Sequence, residues 1–171
     1  AGQRSVSFAI GVFDDSVDDD TQTVTISASA AGSTSSQIVL SVTDDELLTV
    51  TIDRAAIDEA PGSNSTAVGT VTRHNSNISE PLGVLLISSD TTEATVPGFV
   101  VIPGNATSAT FVITGVNDSF LDGTQTTVIS AEAVGYSTNS ARLNVTDVET
   151  VSFTLAASSY PENYGVSNGP P

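Results

Sequence analysis

The sequence predicts an all-β chain of tandem antiparallel sandwiches, and three observations carry that expectation. Apolar and polar residues alternate along short segments, the pattern of half-buried strands. Clusters of Gly, Pro, Asn and Asp punctuate those segments, as turns require. The chain also repeats itself without a gap at an offset of 103 residues: residues 7–27 (SFAIGVFDDSVDDDTQTVTIS) fall on residues 110–130 (TFVITGVNDSFLDGTQTTVIS). Phe8 meets Phe111, Ile10 meets Ile113, Asp15 meets Asp118 and Asp19 meets Asp122. A period this long is a whole domain, since solenoid repeats run to roughly 20–50 residues.

The offset divides the chain into residues 47–149, one complete unit, residues 1–46, the C-terminal part of a preceding unit, and residues 150–171, the start of a following one. The cut points carry the expectation of a longer parent polypeptide. Within the complete unit the pattern predicts seven strands. Leu48, Val50 and Ile52 alternate over 47–52, and Val68 and Val71 lie in 66–73. Leu82, Val84 and Leu86 alternate over 82–88, and four more strands follow at 98–102, 107–116, 124–134 and 139–146. Thr, Val and Ile dominate them because branched side chains fit a pleated surface. Turn clusters at 60–63, 74–77, 102–105 and 122–123 separate them, and no segment has helical periodicity. Seven short strands in about 100 residues read as an immunoglobulin-like sandwich. Its expected core is Val50, Ile52, Val71, Leu86, Phe111, Ile113, Ile129 and Leu143.

The 171 residues hold twenty Asp and Glu against four Lys and Arg, a net charge of −16. That balance argues against nucleic acid and anionic membranes, which attract basic surfaces, and suits cations. No apolar run reaches the roughly 18 residues of a membrane span. Without Cys there is no disulfide and no thiolate metal site. Absence of Cys, Met and Lys beside abundant Ser and Thr suggests an extracellular or cell-surface protein.

Strand parity gathers the acids. If the strands run alternately up and down, the loops after the first, third and fifth strands share one pole with the end of the seventh. Asp58 and Glu59, Asp90 and Glu93, Asp118 and Asp122, and Asp147 and Glu149 occupy those four places. The preceding unit is denser, with Asp14, Asp15, Asp18, Asp19 and Asp20 in one loop and Asp44, Asp45 and Glu46 at its end. Ca2+ takes 6–8 hard oxygen ligands, and converging carboxylates repel one another without a cation. The candidate metal residues are therefore Asp14, Asp15, Asp19, Asp44, Asp45, Glu46, Glu59, Asp90, Asp118, Asp122, Asp147 and Glu149.

Several ordered motifs resemble the Calx-beta domain. They are Ile57-Asp58-Glu59-Ala60-Pro61-Gly62, Val68-Gly69-Thr70-Val71-Thr72-Arg73, Ser89-Asp90, and Ile102-Pro103-Gly104-Asn105 leading into Thr110-Phe111-Val112-Ile113. The loop Asn117-Asp118 to Leu121-Asp122-Gly123 and the closing Val145-Thr146-Asp147 complete the pattern. The resemblance implies a Calx-beta-like sandwich with Ca2+ on Glu59, Asp118, Asp122, Asp147 and Glu149. Asn117 stands where the family has an acid, and Val148 interrupts the closing pair. The preceding unit keeps Asp14-Asp15 and Asp44-Asp45 and is expected to bind better.

Other motifs point nowhere. Gly165-Val166-Ser167-Asn168-Gly169 fits G-x-S-x-G, but a nucleophile elbow needs a strand before it and a helix after. His74, the sole histidine, falls in a turn at the pole away from the acids. The acids lie on scattered loops with no Trp to stack a sugar. No enzymatic activity is expected. The expected function is a structural or adhesive repeat module of a long surface or matrix protein, stiffened by Ca2+ where units join. Its partners are adjacent repeats or neighbouring copies. The alternatives are a subunit of a self-assembling fibre or surface layer, and a Ca2+-binding accessory domain of a larger enzyme or transporter.

Overall fold

The computed structural model describes residues 5–15, 17–59, 61–156, 158 and 159. The G-x-S-x-G motif and most of the third segment lie outside them. Every regular element among the described residues is a strand. β1 (Gln22–Ala28) and β2 (Ser36–Val42) form a separate antiparallel hairpin. The rest belong to a two-sheet sandwich. One sheet has the order β3 (Leu47–Ile52), β5 (Thr66–His74), β9 (Ser108–Gly115) and β7 (Ala94–Thr95). The other has the order β4 (Ala56–Asp58), β11 (Asn139–Thr146), β10 (Gln125–Glu132), β6 (Leu82–Ser88) and β8 (Phe99–Ile102).

All seven expected strands are present, with two additions. The first strand does not stop at Ile52: after Asp53–Ala55 the chain crosses to the other sheet as β4 and pairs parallel with β11. The Asp53 carboxylate fixes the crossing by accepting the Val68 N–H at 2.9 Å. β4 has three residues and β7 two, too few to register as an alternating pattern.

The core lies between the sheets, because period-two alternation turns one side of each strand inward. Leu48, Val50, Val71, Phe111 and Ile113 face Ile57, Val84, Leu86, Ile129, Leu143 and Val145. Of the expected core, Ile52 alone is only partly buried, since it sits where the chain leaves its sheet. Gly69 opposes Phe111 across the β5–β9 pair. A Cβ at Gly69 would lie 2.3 Å from Phe111 Cζ, so the ring occupies the space a side chain would need.

The hairpin copies the end of the complete unit in detail. Each β1–β2 register pair, from Gln22 with Val42 to Ala28 with Ser36, becomes a β10–β11 pair on adding 103. Asp20 and Gly123 both have positive φ, as do Gly32 and Gly135. Gln22 Nε2 donates to the Asp19 carbonyl, and Gln125 Nε2 to the Asp122 carbonyl. Burial differs. Phe8 is 71% exposed where Phe111 is 5%, and Ile10 is 53% exposed where Ile113 is fully buried.

Candidate metal centre

Backbone bonds draw four segments of the unit to one pole. Glu59 N–H donates to the Thr146 carbonyl, and Asp58 N–H to Asn64 O, which folds the segment after β4 over the end of β11. Gly115 permits that fold: a Cβ there would lie 2.5 Å from the Asp58 carbonyl oxygen. Val116 N–H donates to the Glu93 carbonyl, bringing in the segment after β6. Asp147 Oδ2 accepts Gly123 N–H at 2.9 Å, and its Oδ1 accepts Glu149 N–H at 2.8 Å.

At this pole Glu59, Asp147 and Glu149 each present an oxygen, all within 4.8 Å of one another. Glu59 is only 3% exposed. Glu59 Oε2 and Glu149 Oε2 are buried without a hydrogen-bond donor. Burial pushes the Glu59 carboxyl above the usual range, and the charges of Asp118, Glu93, Glu149 and Asp147 push the same way. Glu149 is raised by the hydrogen bond it shares with Asp147, then by desolvation. Asp147 is held low by the N–H groups of Gly123 and Glu149. Glu59 is thus an acceptor-rich, desolvated group among like charges, which fits a hard divalent cation because a cation supplies what the protein does not.

The other candidates of this unit take different places. Asp90 accepts the Thr92 hydroxyl and N–H, which lower its pKa, and Asp118 accepts Phe120 N–H at 2.6 Å. Asp122 offers its carbonyl to Gln125. None of the three joins the tight group, though Asp118 and Asp122 stay close enough to act on Glu59 and Glu93 respectively. Glu93 itself is absent from the candidate set. It is 6% exposed, its Oε2 has no donor, and burial followed by the charge of Asp122 raises its pKa. Strand parity places Glu93 at this pole; only its burial marks it as more than a loop acid.

A second group forms at the end of the hairpin, where Asp14, Asp45 and Glu46 present oxygens within 4.8 Å of one another. Glu46 is 3% exposed and its Oε1 lacks a donor. Burial, then the charge of Asp45, raises its pKa. Asp15 instead accepts Val17 N–H, while Asp44 accepts Asp19 N–H at 3.0 Å. By the offset, Glu46 corresponds to Glu149, so both groups include the acid that closes a unit. His74 sits on the sheet surface with its Nε2 3.0 Å from Thr49 Oγ1.

The sequence matches no family model and no curated protein. Among solved structures, the chain is similar to the apo-form Calx CBD1 domain, at 16% identity and a TM-score of 0.45, over 61% of this chain and all of that one. It is also similar to the E. coli chaperone DraB, at 14% identity and a TM-score of 0.39, over 58% of this chain and 54% of that one. The periplasmic chaperone SfaE follows, at 12% identity and 0.39, over 57% and 55%. The chain spans about half the length of the two chaperones. At these values the site rests on its own residues.

Proposed function

We propose that the chain is a stretch of an extracellular structural or adhesive array whose acidic poles bind Ca2+ and stiffen the joints between units. The observation that carries this reading is the pair of three-carboxylate groups, each containing a glutamate 3% exposed with an oxygen that no donor reaches. An exposed acidic loop solvates its charges; these glutamates do not. The Calx-beta motifs of the sequence support the same reading, as does the hairpin that repeats the end of the unit. Unit follows unit without a linker, with Glu46 next to Leu47 and Glu149 next to Thr150, so each pole is also a joint.

Thermal melting in millimolar Ca2+ and in chelator tests the proposal. A ligand that binds only the folded state stabilises it by about 2.7 kcal/mol at 100-fold excess over its Kd. For a unit near 100 residues that is on the order of 10 °C or more. Equal melting temperatures and unchanged X-ray scattering dimensions would end the calcium reading. One observation favours self-assembly instead: Phe8, Ile10, Val12 and Ile38 of the hairpin segment are each more than half exposed. Under that reading sedimentation shows concentration-dependent growth, which Phe8→Ser with Ile10→Ser suppresses.

A further inference from the structure

A sheet edge without a partner strand exposes a row of backbone N–H and C=O groups. Among the described residues, three of the four edges of the sandwich are closed or short. Along β3, Val50 N–H donates to Asn139 Oδ1 at 2.9 Å, and Leu47 bridges to Ser137. β4 has three residues and β7 two. β8 differs. It ends the five-stranded sheet, and Phe99, Val100, Val101 and Ile102 are all apolar. Leu86 N–H donates to the Gly98 carbonyl at 3.3 Å. Antiparallel ladders alternate, so Val100 and Ile102 are bonded to β6, and the N–H and C=O groups of Phe99 and Val101 point to the free edge. The outer face beside that edge is apolar as well, since Phe99, Val101, Leu85 and Ile87 are exposed. The Phe99 ring lies over Gly83, where a Cβ would come within 2.6 Å of its Cζ, so the ring leans away from the edge.

We propose that β8 pairs with β8 of a second copy of this chain, antiparallel about a two-fold axis at Val100, joining two five-stranded sheets into one. In that register Phe99 of each copy stands opposite Val101 of the other. Both are free on that side, so the two pairs exchange all their backbone bonds and four N–H groups gain acceptors. Charge and length select a second copy. The chain carries a net charge of −16, so two copies repel wherever their carboxylates meet, yet residues 94–117 contain no charged side chain. Glu132 is the acid in register with this edge, opposite Leu85, which is opposite Phe99. In the joined sheet the two Glu132 residues stand five strand spacings apart, about 24 Å, well beyond a screening length of about 8 Å. A basic partner is drawn to the acidic poles instead. Pro97 and Pro103 bound the edge, so a longer strand would overrun residues that lack an N–H, whereas β8 matches itself. The contact uses neither the clustered carboxylates nor Phe8 and Ile10, so it stands apart from both readings above.

Sedimentation equilibrium in chelator tests the pairing on the full 171-residue chain carrying Phe8→Ser and Ile10→Ser, which takes calcium and hairpin-driven growth out of the readout. A closed two-fold contact gives a monomer–dimer equilibrium that stops at two and tightens as salt screens the net charge. Four residues make a small interface, so the titration runs to millimolar protein. Val101→Glu is expected to weaken the dimer about tenfold or more, because each dimer loses two buried valines and gains like charges. Val101→Ile is expected to preserve it. Hydrogen exchange on the chain with its native edge reads the pairing without any change in β8. The Phe99 and Val101 amides are expected to slow as the dimer forms, while the Val100 amide, already bonded within the sheet, is unchanged. A chain that stays monomeric at millimolar concentration overturns the second copy and leaves the edge to a strand of another polypeptide. Growth beyond the dimer, or a dimer in which the Phe99 and Val101 amides exchange at the monomer rate, overturns the two-fold pairing.

Discussion

Replacing Glu59 by Gln should move thermal stability in opposite directions with and without Ca2+. Glu59 is 3% exposed, its Oε2 lacks a donor, and four further acids act on it. In chelator its carboxylate is a desolvated charge among like charges, and an amide of the same shape removes that charge. An unsatisfied buried polar atom costs about 1–3 kcal/mol, and the amide recovers part of it by donating to Asp147 or Glu149. For a unit near 100 residues each kcal/mol is roughly 4–8 °C, so the metal-free variant should melt several degrees above the parent. In Ca2+ the sign reverses. The variant loses a ligand and most of the metal-induced gain from this pole, which is about 2.7 kcal/mol at 100-fold excess over Kd. Differential scanning calorimetry of parent and variant in both buffers reads all four values. If the variant melts lower than the parent in chelator, Glu59 is a satisfied structural acid and the argument from its burial is wrong.

Gly69→Ala should destabilise the unit by about 1–3 kcal/mol in urea titration, because the new Cβ would lie 2.3 Å from the Phe111 ring in a packed core. Arg73→Ala should cost about 2–4 kcal/mol by the same measurement, since four carbonyls from two loop segments lose a donor. Metal-free stability should fall as pH rises. Glu46, Glu59 and Glu93 have raised pKa values, so their charged forms cost stability above those values, and the cost disappears as pH falls through them. Asp90 and Asp147 have lowered values, so their contribution is lost only below the usual carboxylate range. The metal-free melting temperature should therefore be higher near about pH 5 than at pH 7.5, and saturating Ca2+ should reverse the order.

The strand pattern and the gathering of acids at one pole were legible in the sequence because both follow from period two and from parity. Leu48, Val50, Val71 and Ile129 alternate with polar neighbours, and alternation is a local signal. β4 was not legible: Ala56, Ile57 and Asp58 join a second sheet through contacts with Asn144, Val145 and Thr146, far away in the chain. The site divides in the same way. Glu59, Asp147 and Glu149 share a motif-level signal with Asp118 and Asp122, yet only side-chain direction separates the three that converge from those at the rim. Glu93 carries no motif. It stands out only through its burial and an oxygen that lacks a donor, a property of the folded surroundings rather than of the residue type.

The parallel pairing of β4 with β11 has a mechanical consequence. The chain enters the unit at Leu47, beside Ser137, and leaves after Thr146, one strand length of about 30 Å away. Tension along the polypeptide therefore pulls β4 and β11 past each other along their own axes. Three register pairs, Asn144 with Ala56, Val145 with Ile57 and Thr146 with Asp58, are sheared together instead of peeling open in turn. The Thr146 hydroxyl, bonded to the Ile57 carbonyl and the Asp58 carboxylate, and the Glu59 N–H on Thr146 share that load. The strand ends that present Glu59 and Asp147 are thus also the clamp that holds the sandwich closed when it is pulled.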